Sequence, residues 1–191
     1  MNTSNTLPPA SPLTQFQAIG AETTPRRINM LVFGTSGLGK TLMAATGPPP
    51  VLYLDMDDGL ASVRSLRPEL ATELQIDTKQ IYTERVRNYA ELKRVLVKLG
   101  GMRNHPQFPQ TICVDNLTVA QSIVMQERIA GDESVSVDRL PERQDWGILL
   151  QRMRAIVRFI RDLPCNSYFI CMEQEKEGFI GPALQGAMYR E

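Results

Sequence analysis

The sequence predicts an α/β fold in which a mainly parallel sheet is flanked by helices. Short apolar runs alternate along the chain with segments of helical periodicity, and turns containing glycine or aspartate follow several of these runs. Uninterrupted apolar runs are typical of strands buried on both faces, and their alternation with helices is typical of a parallel sheet. The length of 191 residues fits one domain.

The amino-terminal half contains three of the predicted strands. Ile28–Phe33 is predicted to be a buried strand, and a glycine-rich loop joins it to a short helix at 40–46, which Gly47 and three prolines end. Val51–Leu54 is predicted as the second strand and 80–82 as a weak third. Apolar residues at helical spacing then predict a helix over 89–99.

The carboxyl-terminal half continues the same alternation. The predicted elements are a strand at 111–114, a helix at 117–130, a loop or small hairpin at 131–138, a helix at 142–163 and a strand at 167–172. Pro164 ends the long helix. Residues 173–191 contain three glycines and little periodicity, so they are predicted to be loop.

Composition excludes several classes of protein. Lys and Arg together number 21 and balance 21 Asp and Glu, so a nucleic-acid binder that works by bulk charge is excluded. The three cysteines lack metal-ligand spacing, and the sequence has one histidine, which makes a zinc site or a disulfide framework a poor interpretation. Residues 1–25 are rich in Pro, Thr, Ser, Asn and Gln, so we predict a disordered tail there and a folded domain at 26–191. A secretory signal and a membrane helix are not indicated, so we expect a cytoplasmic protein.

One segment matches the phosphate-binding pattern G-x-x-x-x-G-K-[ST] at every fixed position. It consists of Gly34, Thr35, Ser36, Gly37, Leu38, Gly39, Lys40 and Thr41. Glycines allow backbone N–H groups to point at phosphate oxygens, the lysine adds a positive charge at the β- and γ-phosphates, and the threonine hydroxyl is placed to ligate Mg²⁺. A strand precedes the segment and a helix follows it, which favours a nucleotide site over a glycine-rich turn with a solvated lysine.

Acidic residues follow two of the other predicted strands. Asp115 ends an apolar strand and supplies the second ligand that a Mg²⁺–nucleotide site requires. Asp57 and Asp58 follow the second strand and are candidates for orienting or deprotonating the attacking water, although an ordinary acidic turn has the same residues. Because the carboxyl ends of parallel strands meet at one edge, Gly34, the aspartates at 55–58 and Asp115 are expected to face one crevice. Glu173 follows the last strand and either senses the γ-phosphate or begins a solvated loop.

Three segments together resemble the RecA-like P-loop ATPase core; they are Gly34–Thr41, Tyr53–Gly59 and Ile112–Thr118. Within that class, the chain resembles the phage nucleotide-binding P-loop proteins, some of which are single-strand-annealing recombinases. Two shorter likenesses support this, namely Gln144–Gly147 at the start of the long helix and the P-x-L-x-G segment at 182–186. The resemblance covers about Asn29 to Gly186.

The resemblance implies a site for ATP and Mg²⁺ in which Lys40 and Thr41 contact the phosphates and the metal, and Asp115 is the second metal ligand. The catalytic glutamate of the family falls on Asp57, which is one methylene shorter, so slower hydrolysis or the use of Asp58 is implied. A position that the family often fills with His or Gln falls near Glu173 or the following glutamine. The resemblance also implies that other members of the family continue into a further strand after the position of Gly186. This sequence stops soon after that position, so its sheet is expected to be smaller or to be completed by a partner.

The resemblance further implies single-stranded DNA as a partner, self-association into a ring or filament, and contact with a single-strand-binding protein. The expected compartment is then the host cytoplasm. Matching loops lie at about 131–140 and 173–186, and Arg154, Arg158 and Arg161 share one face of the long helix, which is either a phosphate-binding or interface stripe or a solvated face. Two alternatives stay open, a non-catalytic nucleotide-binding assembly factor and a small P-loop kinase.

Overall fold

The structure, a computed structural model, describes residues 27–130, 140–176 and 178–184. The predicted tail at 1–25 and the predicted loop or hairpin at 131–138 lie outside these residues. Residues 185 and 186 of the P-x-L-x-G segment lie outside them as well. The statements that follow concern the described residues.

The described elements alternate between strand and helix, as the sequence predicts. In chain order they are β1 (Asn29–Gly34), α1 (Lys40–Ala45), β2 (Val51–Asp55), α2 (Ala61–Arg64), α3 (Pro68–Glu73), a 3₁₀ turn (Thr78–Gln80), β3 (Ile81–Arg85), α4 (Tyr89–Met102), β4 (Thr111–Asp115), α5 (Leu117–Ala130), α6 (Arg143–Arg161), β5 (Asn166–Lys176) and β6 (Phe179–Pro182).

The strands form one sheet in the order β1-β5-β4-β2-β3. All neighbours in this order run parallel, whereas β6 pairs antiparallel with the end of β5. The predicted fold class, a mainly parallel sheet flanked by helices, is therefore confirmed. Because β5 lies between β1 and β4, the last long strand of the chain separates the strand before the phosphate loop from the strand that ends in Asp115.

Helices cover both faces of the sheet, and alternate residues of each strand point to opposite faces. Residues such as Tyr53 and Cys113 face α1 and α2, where they join a core that includes Ala44 and Val63. Their chain neighbours, such as Val114, face the larger core that α4, α5 and α6 build. The two cores pack against both faces of the central strands, and this packing positions the residues at their carboxyl ends.

The prediction that β1 is a buried strand is wrong. The strand lies at the edge of the described sheet, and Leu31 and Phe33 are 48% and 42% exposed. The apolar pattern predicted a strand but not its place in the sheet, because the order of strands depends on long-range pairing. In the part of the chain that the structure describes, no strand pairs with the outer edge of β1.

The prediction of loop for residues 173–191 is also wrong for 173–176 and 179–182, which are strand. Strand β5 continues to Lys176, and a turn at Gly178, with φ of 80°, leads into β6. This hairpin extends past the carboxyl ends of the parallel strands, where its side chains are partly or fully exposed, so the sequence has no apolar period there. The short helices α2 and α3 were not predicted either.

Helix α6 begins with a capping box formed by Glu142 and Asp145. The backbone N–H of Glu142 donates to the carboxylate of Asp145 at 2.9 Å, which completes a capping box. Asp145 is fully buried and lies 3.1 Å from Arg128, so it also ties the start of α6 to the end of α5. None of the helices in the described ranges is both long and apolar enough to cross a membrane.

Candidate active site

A cavity of about 450 Å³ opens at the carboxyl edge of the sheet, between the glycine-rich loop and the turn after β2. Its lining includes Lys40 and Thr41 from α1, Asp57 from the turn after β2, and Asp115 from the end of β4. The strand register places Asp55 directly beside Asp115. Of the residues that were expected to face one crevice, the cavity lining therefore includes Asp57 and Asp115, but not Gly34, Asp55 or Asp58.

The glycine-rich loop curls back over the start of α1. Gly37 and Gly39 have φ of 84° and 79°, a backbone conformation that favours glycine, and Gly39 is the residue that begins the helix. A Cβ atom at either position would have no neighbour within 4 Å, so conformation rather than space requires glycine. Lys40 Nζ donates to the carbonyls of Gly34 and Thr35 at 2.8 and 2.7 Å, which holds the ammonium group over the loop.

Thr41 and Asp115, the two residues predicted to ligate Mg²⁺, are in direct contact. Thr41 Oγ1 donates to Asp115 Oδ2 at 2.7 Å, although the two residues are 74 positions apart. A buried tyrosine supports the pair, because the hydroxyl of Tyr53 donates to the Thr41 carbonyl at 2.7 Å. Burial raises the pKa of Tyr53 far above its usual value, so this hydroxyl remains a hydrogen-bond donor at neutral pH.

Asp115 lies in an environment that disfavours its charge. Burial is the main cause that raises the pKa of this carboxyl, and the negative charges of Asp57 and Asp55 raise it further. The hydrogen bond from Thr41 and the charge of Lys40 act in the opposite direction. Because these carboxylates repel one another in a partly buried site, binding of a cation among them would be favourable.

Asp57 is the acidic residue of the β2 turn that faces the cavity. The amide nitrogen of Asn116 donates to Asp57 Oδ2, and the amide oxygen of Asn116 accepts the N–H of Val119 at 2.8 Å. Asn116 is 3% exposed, so α5 and a buried amide together fix one oxygen of Asp57. The remaining oxygen, Oδ1, lies 2.9 Å from where a Cβ of Gly59 would be.

Asp58 points away from this cavity. Its side chain is 61% exposed and pairs with Arg85 at 2.6 Å and Arg64 at 3.5 Å. Arg85 also reaches Asp55, whose side chain is 1% exposed, at 3.4 Å. Of the two aspartates predicted as candidates for water activation, the structure therefore places Asp57 in the cavity lining and Asp58 in an ion pair beside it.

Glu173 follows the end of the β1–β5 pairing and lies close to the start of the phosphate loop. Its Oε2 is 3.9 Å from where a Cβ of Gly34 would be, but the residue does not line the cavity that contains Asp57 and Asp115. The strand register explains why Glu173 lies near Gly34, since Gly34 pairs with Met172, the residue before Glu173. A role for Glu173 at the γ-phosphate stays a prediction.

The residues present fit a nucleotide with Mg²⁺. Mg²⁺ prefers oxygen ligands and is usually held by one or two carboxylates together with the phosphates of the substrate. The Thr41 hydroxyl and the Asp115 carboxylate supply such oxygens, at hydrogen-bond distance from each other, beside a loop of backbone N–H groups and one lysine. The donor set matches the group that the motif predicts.

Three supporting residues were not predicted as site residues from the sequence. Asn116, Tyr53 and Arg85 each contact a predicted site residue, but each lies on a different element from its partner. Asn116 directly follows Asp115, so its place at the same strand end was a signal that could have identified it. Tyr53 and Arg85 are found only when the sheet is assembled.

A family model described as an AAA domain matches residues 26–179 of the chain. The match begins just before β1 and extends to the start of β6, so it includes the glycine-rich loop, the β2 turn and the strand that ends in Asp115. A comparison with curated proteins gave no match.

Proposed function

The chain belongs to the AAA domain family of P-loop ATPases, and from this premise we propose that it hydrolyses ATP with Asp57 as the residue that orients and deprotonates water. The observation that carries the proposal is the shared cavity, in which Lys40, the contacting pair Thr41–Asp115 and the carboxylate of Asp57 line one space. Phosphate binding, metal binding and water activation require these groups next to each other.

Each group has a separate role in this proposal. The N–H groups of the loop and the ammonium of Lys40 bind the β- and γ-phosphates. Thr41 and Asp115 hold Mg²⁺, which when bound neutralises charge on the phosphate oxygens. Asn116 occupies Oδ2 of Asp57, so we assign Oδ1 to the attacking water, from which it accepts a proton. As the water oxygen bonds to the γ-phosphorus, the bond from that phosphorus to the β–γ bridging oxygen breaks, and ADP leaves with the electron pair.

The test is ATP turnover by the purified chain with Mg²⁺, compared among three variants. Lys40→Ala should abolish turnover, Asp57→Asn should lower kcat and leave ADP binding intact, and the control Asp77→Asn should turn over like the parent. Asp77 is a suitable control because it is an exposed aspartate that caps a 3₁₀ turn away from the cavity. Full turnover by Asp57→Asn would refute the role of Asp57.

Product analysis separates the alternatives. ADP and phosphate support the proposal, a phosphorylated acceptor indicates a small kinase, and intact bound ATP indicates a non-catalytic assembly factor. The shorter side chain at position 57, compared with the glutamate of the family it resembles, leads us to expect slow turnover. Each product therefore needs to be measured over many hours and against Lys40→Ala.

We further propose that nucleotide binding regulates assembly on single-stranded DNA in phage recombination. The resemblance of the sequence supports this role, and so does the surface of α6, where Arg158 and Arg161 are exposed on the same face as Arg154. Arg161 pairs with Asp162 at 2.8 Å, so it is less available to bind a phosphate. Stimulation of ATP turnover by a single-stranded oligonucleotide would support this role. Turnover that is unchanged by the oligonucleotide would refute it.

A further inference from the structure

The turn that presents Asp57 is held by backbone hydrogen bonds on both sides of that residue, at Met56 and at Asp58. Met56 donates its backbone N–H to the carbonyl of Asp115 at 2.7 Å, which anchors the start of the turn to β4. Asp58 donates its backbone N–H to Asp55 Oδ1 at 2.9 Å. Its φ of 63° lies in the left-handed region, which a residue other than glycine adopts at a cost in free energy. Contacts with neighbouring residues are therefore needed to keep the turn in this conformation.

Arg85 is the side chain that connects both ends of this turn. It lies at the end of β3, where the parallel register places it directly beside Asp55. Its guanidinium contacts Asp55 Oδ2 at 3.4 Å and Asp58 Oδ1 at 2.6 Å, so one planar group joins the residue before the turn to the residue after Asp57. Arg85 is 38% exposed and Asp55 is buried, which makes this pair less screened by solvent than an ordinary surface pair.

The positive charge of Arg85 also offsets repulsion among the aspartates around the turn. The strand register places Asp55 directly beside Asp115, and Asp57 and Asp115 line the same cavity, so this edge of the sheet concentrates negative charge. Without a cation against Asp55 and Asp58, repulsion would favour opening of the turn. Arg64 contacts only Asp58, at 3.5 Å, and both of those side chains are about 60% exposed.

We infer that Arg85 is a positioning residue for ATP hydrolysis, which acts by holding the 55–58 turn so that Asp57 stays against Asn116 and faces the cavity. The inference rests on the proposed role of Asp57. Arg85 does not line the cavity, so its loss should leave nucleotide affinity unchanged. Because a misplacement of about 1 Å can cost roughly a hundredfold in rate, we expect Arg85→Gln to lower kcat by about 10- to 100-fold.

The experiment is a double-mutant cycle with Arg85→Gln, Asp57→Asn and the double variant, measured as kcat, KM for ATP and the Kd for a fluorescent ADP analogue. If Arg85 acts through Asp57, Arg85→Gln lowers kcat, leaves KM and Kd within about twofold, and adds no further loss to Asp57→Asn. Both contacts of Arg85 are made by Nη1, so Arg85→Lys, which keeps a single charged nitrogen but on a shorter side chain, should restore part of kcat.

The matched control is Lys98→Gln, which removes a cation that pairs with the preceding residue of β3, Glu84, at 3.9 Å. If Arg85→Gln fails to fold, Asp58→Asn breaks the same link from an exposed position and takes its place in the cycle. The inference is overturned if Arg85→Gln has the kcat of Lys98→Gln, if it raises Kd in step with KM, or if its loss multiplies that of Asp57→Asn. Full activity of Asp57→Asn alone would instead refute the proposed role of Asp57.

Discussion

Gly59→Ala is the substitution that tests the position of Asp57 most directly. The new Cβ would lie 2.9 Å from Asp57 Oδ1, about 0.5 Å closer than the 3.4 Å at which ordinary van der Waals contact begins. The backbone of Gly59 is outside the left-handed region, so alanine adds a contact without backbone strain. Asp57 has to yield, and the amide of Asn116 on its other oxygen limits how it can rotate.

The expected result is a loss of kcat of about tenfold, since a misplacement of 1 Å can cost about a hundredfold and the required shift is about half of that. The same Cβ would lie 3.7 and 3.8 Å from the oxygens of Asp115, which is ordinary contact. The pair formed by Thr41 and Asp115 should therefore stay in place, and the Mg²⁺ dependence and the KM for ATP should change by less than about twofold.

The assay is steady-state ATP turnover as a function of ATP and of Mg²⁺, with Gly101→Ala as the control. A Cβ at Gly101 would have no neighbour within 4 Å, and the residue lies in the exposed last turn of α4, so this alanine should leave kcat unchanged and raise stability by up to about 1 kcal/mol. If Gly59→Ala has the kcat of Gly101→Ala, the oxygen of Asp57 that faces Gly59 does not take part in the reaction.

Four further predictions concern the groups around the site and the buried thiols. Thr41→Ala and Asp115→Asn should each raise the Mg²⁺ concentration required for half-maximal turnover by at least about tenfold, measured by Mg²⁺ titration at saturating ATP. Tyr53→Phe should lower the free energy of unfolding by about 1 kcal/mol in urea denaturation, because the Thr41 carbonyl loses a buried donor. Burial raises the pKa of Cys165 to about 11 and that of Cys171 to about 12, so neither should react with a thiol reagent at pH 8 until the chain is unfolded. Since the thiolate is disfavoured only in the folded state, stability should fall as the pH rises from about 9 through 11.

Prediction from sequence succeeded where the determinants are contiguous. The phosphate loop is one continuous segment with fixed spacing, so its match predicted the positions of Gly37, Gly39 and Lys40 before any contact was known. The alternation of strands and helices was predicted for the same reason, because each apolar period is local. The predicted boundaries of β4 and α5 agree with the structure to within one residue.

Prediction failed where a residue's surroundings come from distant parts of the chain. The run Ile28–Phe33 has the composition of a buried strand, yet β1 lies at the edge of the described sheet. The acidic stretch after Met172 has no apolar period, yet it forms half of a hairpin because its backbone pairs with β6. In both cases the decisive interaction is hydrogen bonding between strands, which side-chain patterns do not encode.

The sequence by itself determined the phosphate loop, the alternation of the longer strands and helices along the chain, and the aspartates available at two strand ends. The resemblance favoured Asp57, but the residue types alone did not distinguish it from Asp58, because two adjacent aspartates in a turn give no sign of which one faces the site. The tertiary structure decided this by placing Asn116 against Asp57 and Arg85 against Asp58. The physical reason is that β2 lies between β4 and β3 in the sheet, so the turn after β2 meets an amide from one neighbour and a guanidinium from the other.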